Sequence, residues 1–474
     1  MSEHRRVDVA IIGAGTAGLR AFREARKYTD SVLLIEDGGW GTTCARVGCM
    51  PSKLLIAAAD AAEAVRQAPG FGVVAEPPRI DGRAVLARLR AERDRYVGHV
   101  MEAVESFPEA QRRSARARFV SDTRLALDDG GVVDAGRIVI ATGSRARILP
   151  IFDGLGDRLV TNDDLFEMED LPASVAVFGA GVIGLELGQA LHRLGVRVSL
   201  YGKGGFVGPL TDAAVRDTAA ALIAADMPFH PDADARPEAA ADGVRVTCGG
   251  ATKTFEYVLA ATGRQPNVDG LDLGATSLSL GDRGVPHHDP ATGQCGDGPI
   301  FIAGDATAEE PLLHIASHEG EVAGRNAARF PDIRRTPRPP GLTILFTDPQ
   351  IALVGQTRAE LEAAGTDFAV GALDWSDQGR AQVMRVNAGR LHLYGARDTG
   401  HLLGAEMIGP RAEHLAHLLA WSIGSGLTVG EMLAQPFYHP VLEEGLRTAL
   451  RDLNRALRMG PPSPPRCIDS GPGG

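Results

Sequence analysis

The sequence predicts an α/β protein made of two Rossmann-like strand–turn–helix–strand units followed by an α+β unit, and three observations carry that prediction. The apolar run V-D-V-A-I-I from Val7 leads into G-A-G-T-A-G, a helical stretch to Arg26 and a second apolar run, V-L-L-I, ending at Glu36. The same grammar returns at Ser174–Tyr201, where S-V-A-V-F, G-A-G-V-I-G, the helical L-E-L-G-Q-A-L-H-R-L and V-R-V-S-L-Y follow one another. After the proline-rich P-D-I-R-R-T-P-R-P-P, a natural linker, G-L-T-I-L-F-T-D-P-Q-I-A-L-V-G opens a third unit with strands near Pro340.

The length of 474 residues allows two to four domains, and 44% hydrophobic residues suffice to build their cores. A formal charge of −11 gives an average field that repels phosphate backbones and anionic membranes, which argues against nucleic acid as a partner. The first strand begins at Val7, leaving no room for a signal peptide, and no apolar run is long enough to span a bilayer. The expected location is therefore cytoplasmic, with no membrane partner. Five cysteines (Cys44, Cys49, Cys248, Cys295, Cys467) do not form a secreted disulfide framework.

In the first unit Gly13 permits the tight turn, Gly15 lets the backbone approach a pyrophosphate at the helix N-terminus, and Gly18 allows close helix–strand packing. Glu36 then stands where a carboxylate accepts hydrogen bonds from an adenosine ribose. Gly179, Gly181 and Gly184 repeat the pattern, so two dinucleotides are expected. Where an acid would favour NAD, the second unit has Tyr201, Gly202 and Lys203; Lys203 is either a solvated loop lysine or a partner for the 2′-phosphate of NADP, and locally the balance tilts slightly to NADP(H). I-V-I-A-T-G-S, with Thr142 and Gly143, and V-L-A-A-T-G-R-Q-P-N, with Gly263, read as strands running into turns that cross between domains. F-I-A-G-D-A ends another strand with Gly304 and Asp305, a carboxylate suited to a ribityl hydroxyl.

The stretch G-T-T-C-A-R-V-G-C-M-P-S-K places Cys44 and Cys49 five residues apart. In an ideal helix such residues lie about 8 to 9 Å apart at Cα and on different faces, too far for a disulfide. Any helix here must be distorted, and Gly48 is placed to allow it. No second Cys/His cluster completes a zinc site, so no metal is expected. The residues alone leave two readings: inert buried thiols, or a reactive pair whose thiolate is favoured by the nearby Lys53.

The ordered set Gly13/Gly15/Gly18, Cys44-A-R-V-G-Cys49-M-P-S-Lys53, Ala141-T-G, Gly179/Gly181/Gly184-L-Glu186, Ala261-T-G-R-x-P-N, Gly304-Asp305 and His439-Pro440-x-x-x-Glu444 resembles the FAD-dependent pyridine nucleotide-disulfide oxidoreductases over about residues 5 to 456. Within that family the pattern is most similar to the dihydrolipoamide dehydrogenases. The resemblance implies FAD and NAD(P) as cofactors, Cys49 against the flavin, Cys44 exchanging with the substrate disulfide, and Lys53 paired with Glu186. It further implies that His439 is the acid/base oriented by Glu444, that this dyad serves the active site of the other subunit, and hence that the chain is a homodimer. The implied domains are an FAD domain (1–150, completed by 275–335), an inserted NAD(P) domain (151–274) and a dimerisation domain (340–456); the richness in Pro, Ser and Gly from Gly460 predicts a disordered tail (457–474).

The chain departs from the family where its usual Asn is Arg46, its G-G-T-C is Gly41-T-T-C and the Thr after His-Pro is Val441. Arg46 adds positive charge beside Cys44, and Arg46→Asn is expected to keep FAD and diaphorase activity while changing KM for the disulfide or dithiol. His414 and His417 read as packing residues of a helix, His287 and His288 as solvated, and the lone Cys467 argues against mercuric reductase activity. The leading expectation is oxidation of dihydrolipoamide with NAD⁺, supported weakly by Val182 and by P-S-K. The alternatives are an NADPH-dependent reductase of another low-molecular-weight disulfide and a docked subunit of a 2-oxoacid dehydrogenase complex.

Overall fold

The computed structural model describes residues 4–458; Cys467 and the expected tail beyond Arg458 lie outside the described residues. The first sheet is centred on His4–Ile12, which pairs in parallel with Val32–Glu36 on one side and Val132–Ile140 on the other. Arg112–Ser114 extends it beyond Val32–Glu36. The far edge of Val132–Ile140 is shared: antiparallel Arg124–Leu127 pairs with its start and parallel Ile300–Ile302 with its end. Parallel strands are covered on both faces, which is why these read as unbroken apolar runs; Val9, Ala10, Ile11 and Leu34 are all fully buried.

Helix Thr16–Ala25 lies against helix Leu313–Arg329 at backbone distance. A Cβ on Gly320 would stand 2.2 Å from the Ala17 carbonyl oxygen, and one on Gly324 2.4 Å from that of Ala21, so only glycine allows the approach.

The second sheet is parallel, in the order Phe229–His230, Arg197–Tyr201, Ser174–Phe178, Tyr257–Ala260, Leu159–Val160. A three-stranded antiparallel meander, Arg236–Ala240, Gly243–Cys248 and Ala251–Phe255, packs with it. The two A-T-G segments meet in a small antiparallel ribbon, Ser144–Ala146 with Arg264–Pro266, at the crossing between the sheets.

The third sheet is antiparallel, in the order Leu342–Leu345, Gln350–Gly355, Leu402–Gly409, Arg390–Ala396, Phe368–Asp374. Helices Ala412–Gly424 and Glu444–Leu457 cover it. The latter buries Leu446, Leu450, Leu453 and Leu457 along one stripe, each worth about 1.5–3 kcal/mol relative to exposure. The helix therefore reaches Leu457, one residue into the expected tail. Among the described residues no helix is long and apolar enough to cross a membrane.

Candidate active site

The two glycine turns are built alike. Gly13 has φ +104° and an added Cβ would lie 2.3 Å from the Ala141 carbonyl; Gly179 has φ +116° and would meet the Ala261 carbonyl at 2.1 Å. The third glycine of each turn touches the first: Cβ atoms on Gly18 and Gly184 would fall 1.8 and 1.9 Å from the oxygens of Gly13 and Gly179. The middle glycines differ, since a Cβ on Gly15 or Gly181 meets nothing within 4 Å. Each heads a helix whose free N–H groups face that open space, the arrangement a pyrophosphate requires.

Around the first turn, Glu36 accepts from the Ala14 amide at 2.6 Å and the Gly38 amide at 3.1 Å, which fixes its carboxylate at the strand end. Thr142 Oγ1 is buried without a hydrogen-bond partner, and Gly143 (φ +69°) follows it, the turn being pinned by Asn267, which donates to both carbonyls. Gly263 (φ +100°) accepts from the Arg147 amide. Gly304 (φ +70°) donates to the buried Glu319. Asp305 accepts from Ser144 Oγ at 2.7 Å, with Arg264 Nε 3.8 Å away. An orphaned buried hydroxyl, two open glycine cradles and two poised carboxylates fit a pair of dinucleotides. Lys203 is exposed, and Gly202 before it has no room for a side chain: a Cβ would lie 2.7 Å from the Pro231 carbonyl and 2.9 Å from Ala180 Cβ.

The cysteine stretch is two helices with a break. Thr43–Arg46 carries Cys44, and Cys49 opens the long helix Cys49–Gln67. Gly48 sits at the break, where a Cβ would press on the Thr43 carbonyl at 3.0 Å and Cys44 Cα at 3.2 Å. The chain thus folds back over Cys44, and the distortion expected from the spacing is a complete interruption. Both thiols are free, Cys44 partly buried and Cys49 exposed. The neighbouring Cys44 thiol lowers Cys49 to about 7; partial burial of the sulfur opposes the shift and the Lys53 charge assists it. The proximity of Cys49, followed by burial, holds Cys44 far above the ordinary thiol range.

Thr42, where the family has glycine, is in the left-handed half of backbone space at φ +59°, ψ 144°, and its hydroxyl caps the first helix by accepting from the Ala45 amide at 3.2 Å. Arg46 Nη1 donates to the Gly39 carbonyl at 2.8 Å, so its guanidinium is bound to the loop leading back to Glu36.

Lys53, one turn along the helix from Cys49, donates to Glu186 Oε2 at 2.8 Å. Glu186 is 3% exposed, and its other oxygen accepts from the Phe346 amide at 2.9 Å. Lys53 Nζ also lies 4.7 Å from the Phe346 ring centroid, so the ion pair joins all three units. At the far end of the chain, Glu444, 2% exposed, accepts from the Val441 amide and from Arg447, and its two oxygens lie 3.1 Å from His439 Nδ1. This leaves the other ring nitrogen of His439 outward on a side chain that is 60% exposed. Among the described residues no hydrogen bond joins His439 to either cysteine.

Other expectations need adjustment. His288 is not solvated: its side chain is 8% exposed and Nε2 lies 3.2 Å from Glu309, which holds its pKa up despite burial. His414 and His417 are on the exposed face of their helix, while Leu415, Ala416, Leu419 and Ala420 do the packing. Sequence reasoning passed over Asn162, buried beside the cysteine loop, because an asparagine in T-N-D-D-L carries no local signal beyond a helix start.

The fold and this arrangement of thiols and nucleotide cradles define a dithiol/disulfide oxidoreductase, and sequence comparison agrees. The chain belongs to the pyridine nucleotide-disulphide oxidoreductases, with residues 7–320 matching that family and 342–450 its dimerisation domain. It is 32% identical over 470 residues to dihydrolipoyl dehydrogenase 2 of Haloarcula marismortui, covering 93% of this chain and 95% of that one. It is 31% identical over 463 residues to mercuric reductase of Shigella flexneri (95% and 81% covered) and 30% over 465 residues to mycothione reductase of Mycobacterium tuberculosis (94% and 99%). Among solved structures, LpdA of Mycobacterium tuberculosis superposes with a TM-score of 0.80 at 25% identity, covering 94% of this chain and 99% of that one. The flavoprotein disulfide reductase RclA of Escherichia coli gives 0.80 at 21% identity, covering 96% and 100%. The protein is accordingly an FAD-dependent enzyme that uses NAD(P), and its dimerisation domain supports a homodimer.

Proposed function

We propose that Cys44 and Cys49 form the redox-active pair of this enzyme and that it oxidises dihydrolipoamide, passing the electrons to NAD⁺. The observation that carries the reading is the break at Gly48, which folds the chain back over Cys44 and opens the next helix at Cys49, one turn from the Lys53–Glu186 pair; the unequal acidity of the two thiols then suggests their roles. A thiol of low pKa leaves faster, so a substrate thiolate attacks Cys44 Sγ of the oxidised pair and expels Cys49 as the thiolate. The second substrate thiol then attacks its own sulfur in the mixed disulfide, closing the substrate disulfide and releasing Cys44, which takes a proton. His439, held through Nδ1 by Glu444, accepts the proton of the first substrate thiol and returns it to Cys44, then takes the proton of the second substrate thiol, which passes to solvent. The exposure of His439 on its buried Glu444 support favours its serving the cysteine pair of a second copy in a homodimer.

The Gly13–Gly18 turn, Glu36, Thr142, Gly143, Gly304 and Asp305 would hold FAD, which when bound would supply two-electron transfer between the thiols and the nicotinamide. The second turn, Gly179–Gly184, with Gly263, receives the nicotinamide dinucleotide. Lys53, fixed by Glu186, keeps a cation beside Cys49 throughout.

A second reading, an NADPH-dependent reductase of another small disulfide, is favoured by one observation: Gly202 sterically excludes the acid that would select NAD, and Lys203 is the exposed cation next to it. Steady-state turnover of dihydrolipoamide with NAD⁺ and NADP⁺ offered separately decides between them, with Cys49→Ser as control. Rapid NAD⁺ reduction lost in the control supports the first reading; no lipoamide turnover together with strong NADPH preference supports the second. Capture of an acyltransferase core would add a role within a 2-oxoacid dehydrogenase complex.

A further inference from the structure

The carbonyl of Val47 lies at the break between the two cysteine-bearing helices, and it is held from outside the loop. Asn162 Nδ2 donates to it at 2.6 Å across 115 residues of sequence, and to Asp163 Oδ1 at 2.7 Å. Both amide hydrogens thus meet oxygen acceptors, which sets the orientation of the side chain. Asn162 is 5% exposed and has little freedom. It starts the short helix Asn162–Leu165, clamped by the Thr161–Asp164 capping box. Leu165 and Phe166 next to it are fully buried in a core that also contains Leu55, Ile56 and Ala59 of the Cys49 helix. Asn162 therefore sits on a rigid support shared with that helix. Its amide pins the one backbone carbonyl where the chain turns from Arg46 to Gly48.

The carbonyls at the end of a four-residue helix have no intrahelical partner. Pro51, four residues after Val47, has no N–H to offer this part-buried carbonyl and its ring would clash with it in a regular helix, so without an outside donor the carbonyl would turn toward water. A Val47 carbonyl free to rotate toward water would let the peptides between Arg46 and Gly48 turn, and with them the placing of Cys49 relative to Cys44. The preceding residue, Arg46, is tethered to Gly39, so the loop is held at two successive residues.

We propose that Asn162 is a positioning residue for the redox pair: by pinning the Val47 carbonyl it fixes the orientation of the peptide within the helix break and so sets how closely the Cys44 and Cys49 sulfurs approach. The proposal rests on the assignment of Cys44 and Cys49 as the redox couple. Because the nearby Cys44 thiol is the largest influence on Cys49, loosening the break separates the two sulfurs and moves Cys49 from about 7 back toward the ordinary thiol value of 9.0.

The test is the pH dependence of the reduction potential of the couple. Holoenzyme is equilibrated in lipoamide/dihydrolipoamide buffers, and the thiols are trapped by alkylation and counted by mass spectrometry. Below the ionisation of Cys49, reduction by two electrons takes up two protons; above it, one, so the slope halves at that pH. Wild type is expected to break near pH 7. Asn162→Ala and Asn162→Asp, the latter isosteric but lacking the donor, are expected to break at least one pH unit higher, about a tenfold change in the ionisation constant. Asn162→Ser serves if either fails to fold. A break left at the wild-type pH in folded variants, even with a lowered unfolding midpoint, would overturn the proposal and leave Asn162 a packing residue. If wild type itself traps no Cys44–Cys49 disulfide, the assignment of the couple falls, and the proposal with it.

Discussion

Replacing Thr42 with glycine is expected to stabilise the protein although it deletes a helix cap beside the active cysteines. Thr42 has φ +59° and ψ 144°, a region open to glycine and costly for a β-branched residue. Such strain is worth about 1–3 kcal/mol. Against its relief stand the greater freedom of glycine in the unfolded chain, about 0.5–1 kcal/mol, and loss of the Thr42 Oγ1 bond to the Ala45 amide. A Thr-to-Gly change at an N-cap costs only a few tenths of a kcal/mol. The balance is a gain of about 1 kcal/mol. Thr42→Ala keeps the strain and loses the cap, so it should be less stable than wild type by about 1 kcal/mol. The gap of about 2 kcal/mol between the variants is the useful quantity. It is read from urea midpoints at fixed protein and FAD concentrations, with unchanged m-values. If Thr42→Gly unfolds at or below the midpoint of Thr42→Ala, backbone strain at residue 42 is not a significant cost and the reasoning fails.

Three further outcomes are expected. Gly15→Ala adds a Cβ that meets no protein atom, so apoprotein stability should change by about 0.5 kcal/mol or less while FAD binds at least about tenfold more weakly in fluorescence titrations; unaltered FAD affinity would remove the cradle from the cofactor site. His439→Gln should lower dithiol turnover about 100-fold or more while FAD content and NAD(P)H-driven dye reduction persist; normal dithiol turnover would show that the dyad is not the acid/base. The stability of the reduced protein should rise between pH 7 and 9 relative to Cys49→Ser. Cys49 is depressed to about 7 from 9.0, so its thiolate contributes fully above pH 9 and the contribution is lost as pH falls through 7. Cys44, shifted the other way, acts only above pH 9. A flat difference over that interval would contradict the depressed thiol.

What the sequence determined by itself is what local chemistry can encode. A positive φ at Gly13 and Gly179, the close approach demanded at Gly18 and Gly184, buried parallel strands and a carboxylate at the end of Val32–Glu36 each leave their mark within thirty or so residues. The five-residue spacing of Cys44 and Cys49 likewise demanded a broken helix, and the break is there. The pairing of Lys53 with Glu186 and of His439 with Glu444 came only from family resemblance, since spacing cannot show that residues 133 apart share an ion pair. Tertiary structure alone decided the rest. It buried His288 against Glu309, drew Phe346 onto Glu186, put Thr42 in a glycine conformation and brought Asn162 to the Val47 carbonyl. Each of these depends on which faces of distant elements share a core, and an isolated polar residue carries no periodicity that announces its partner. A thiol's acidity is of the same kind, because it is set by the donors and charges that packing brings to the sulfur.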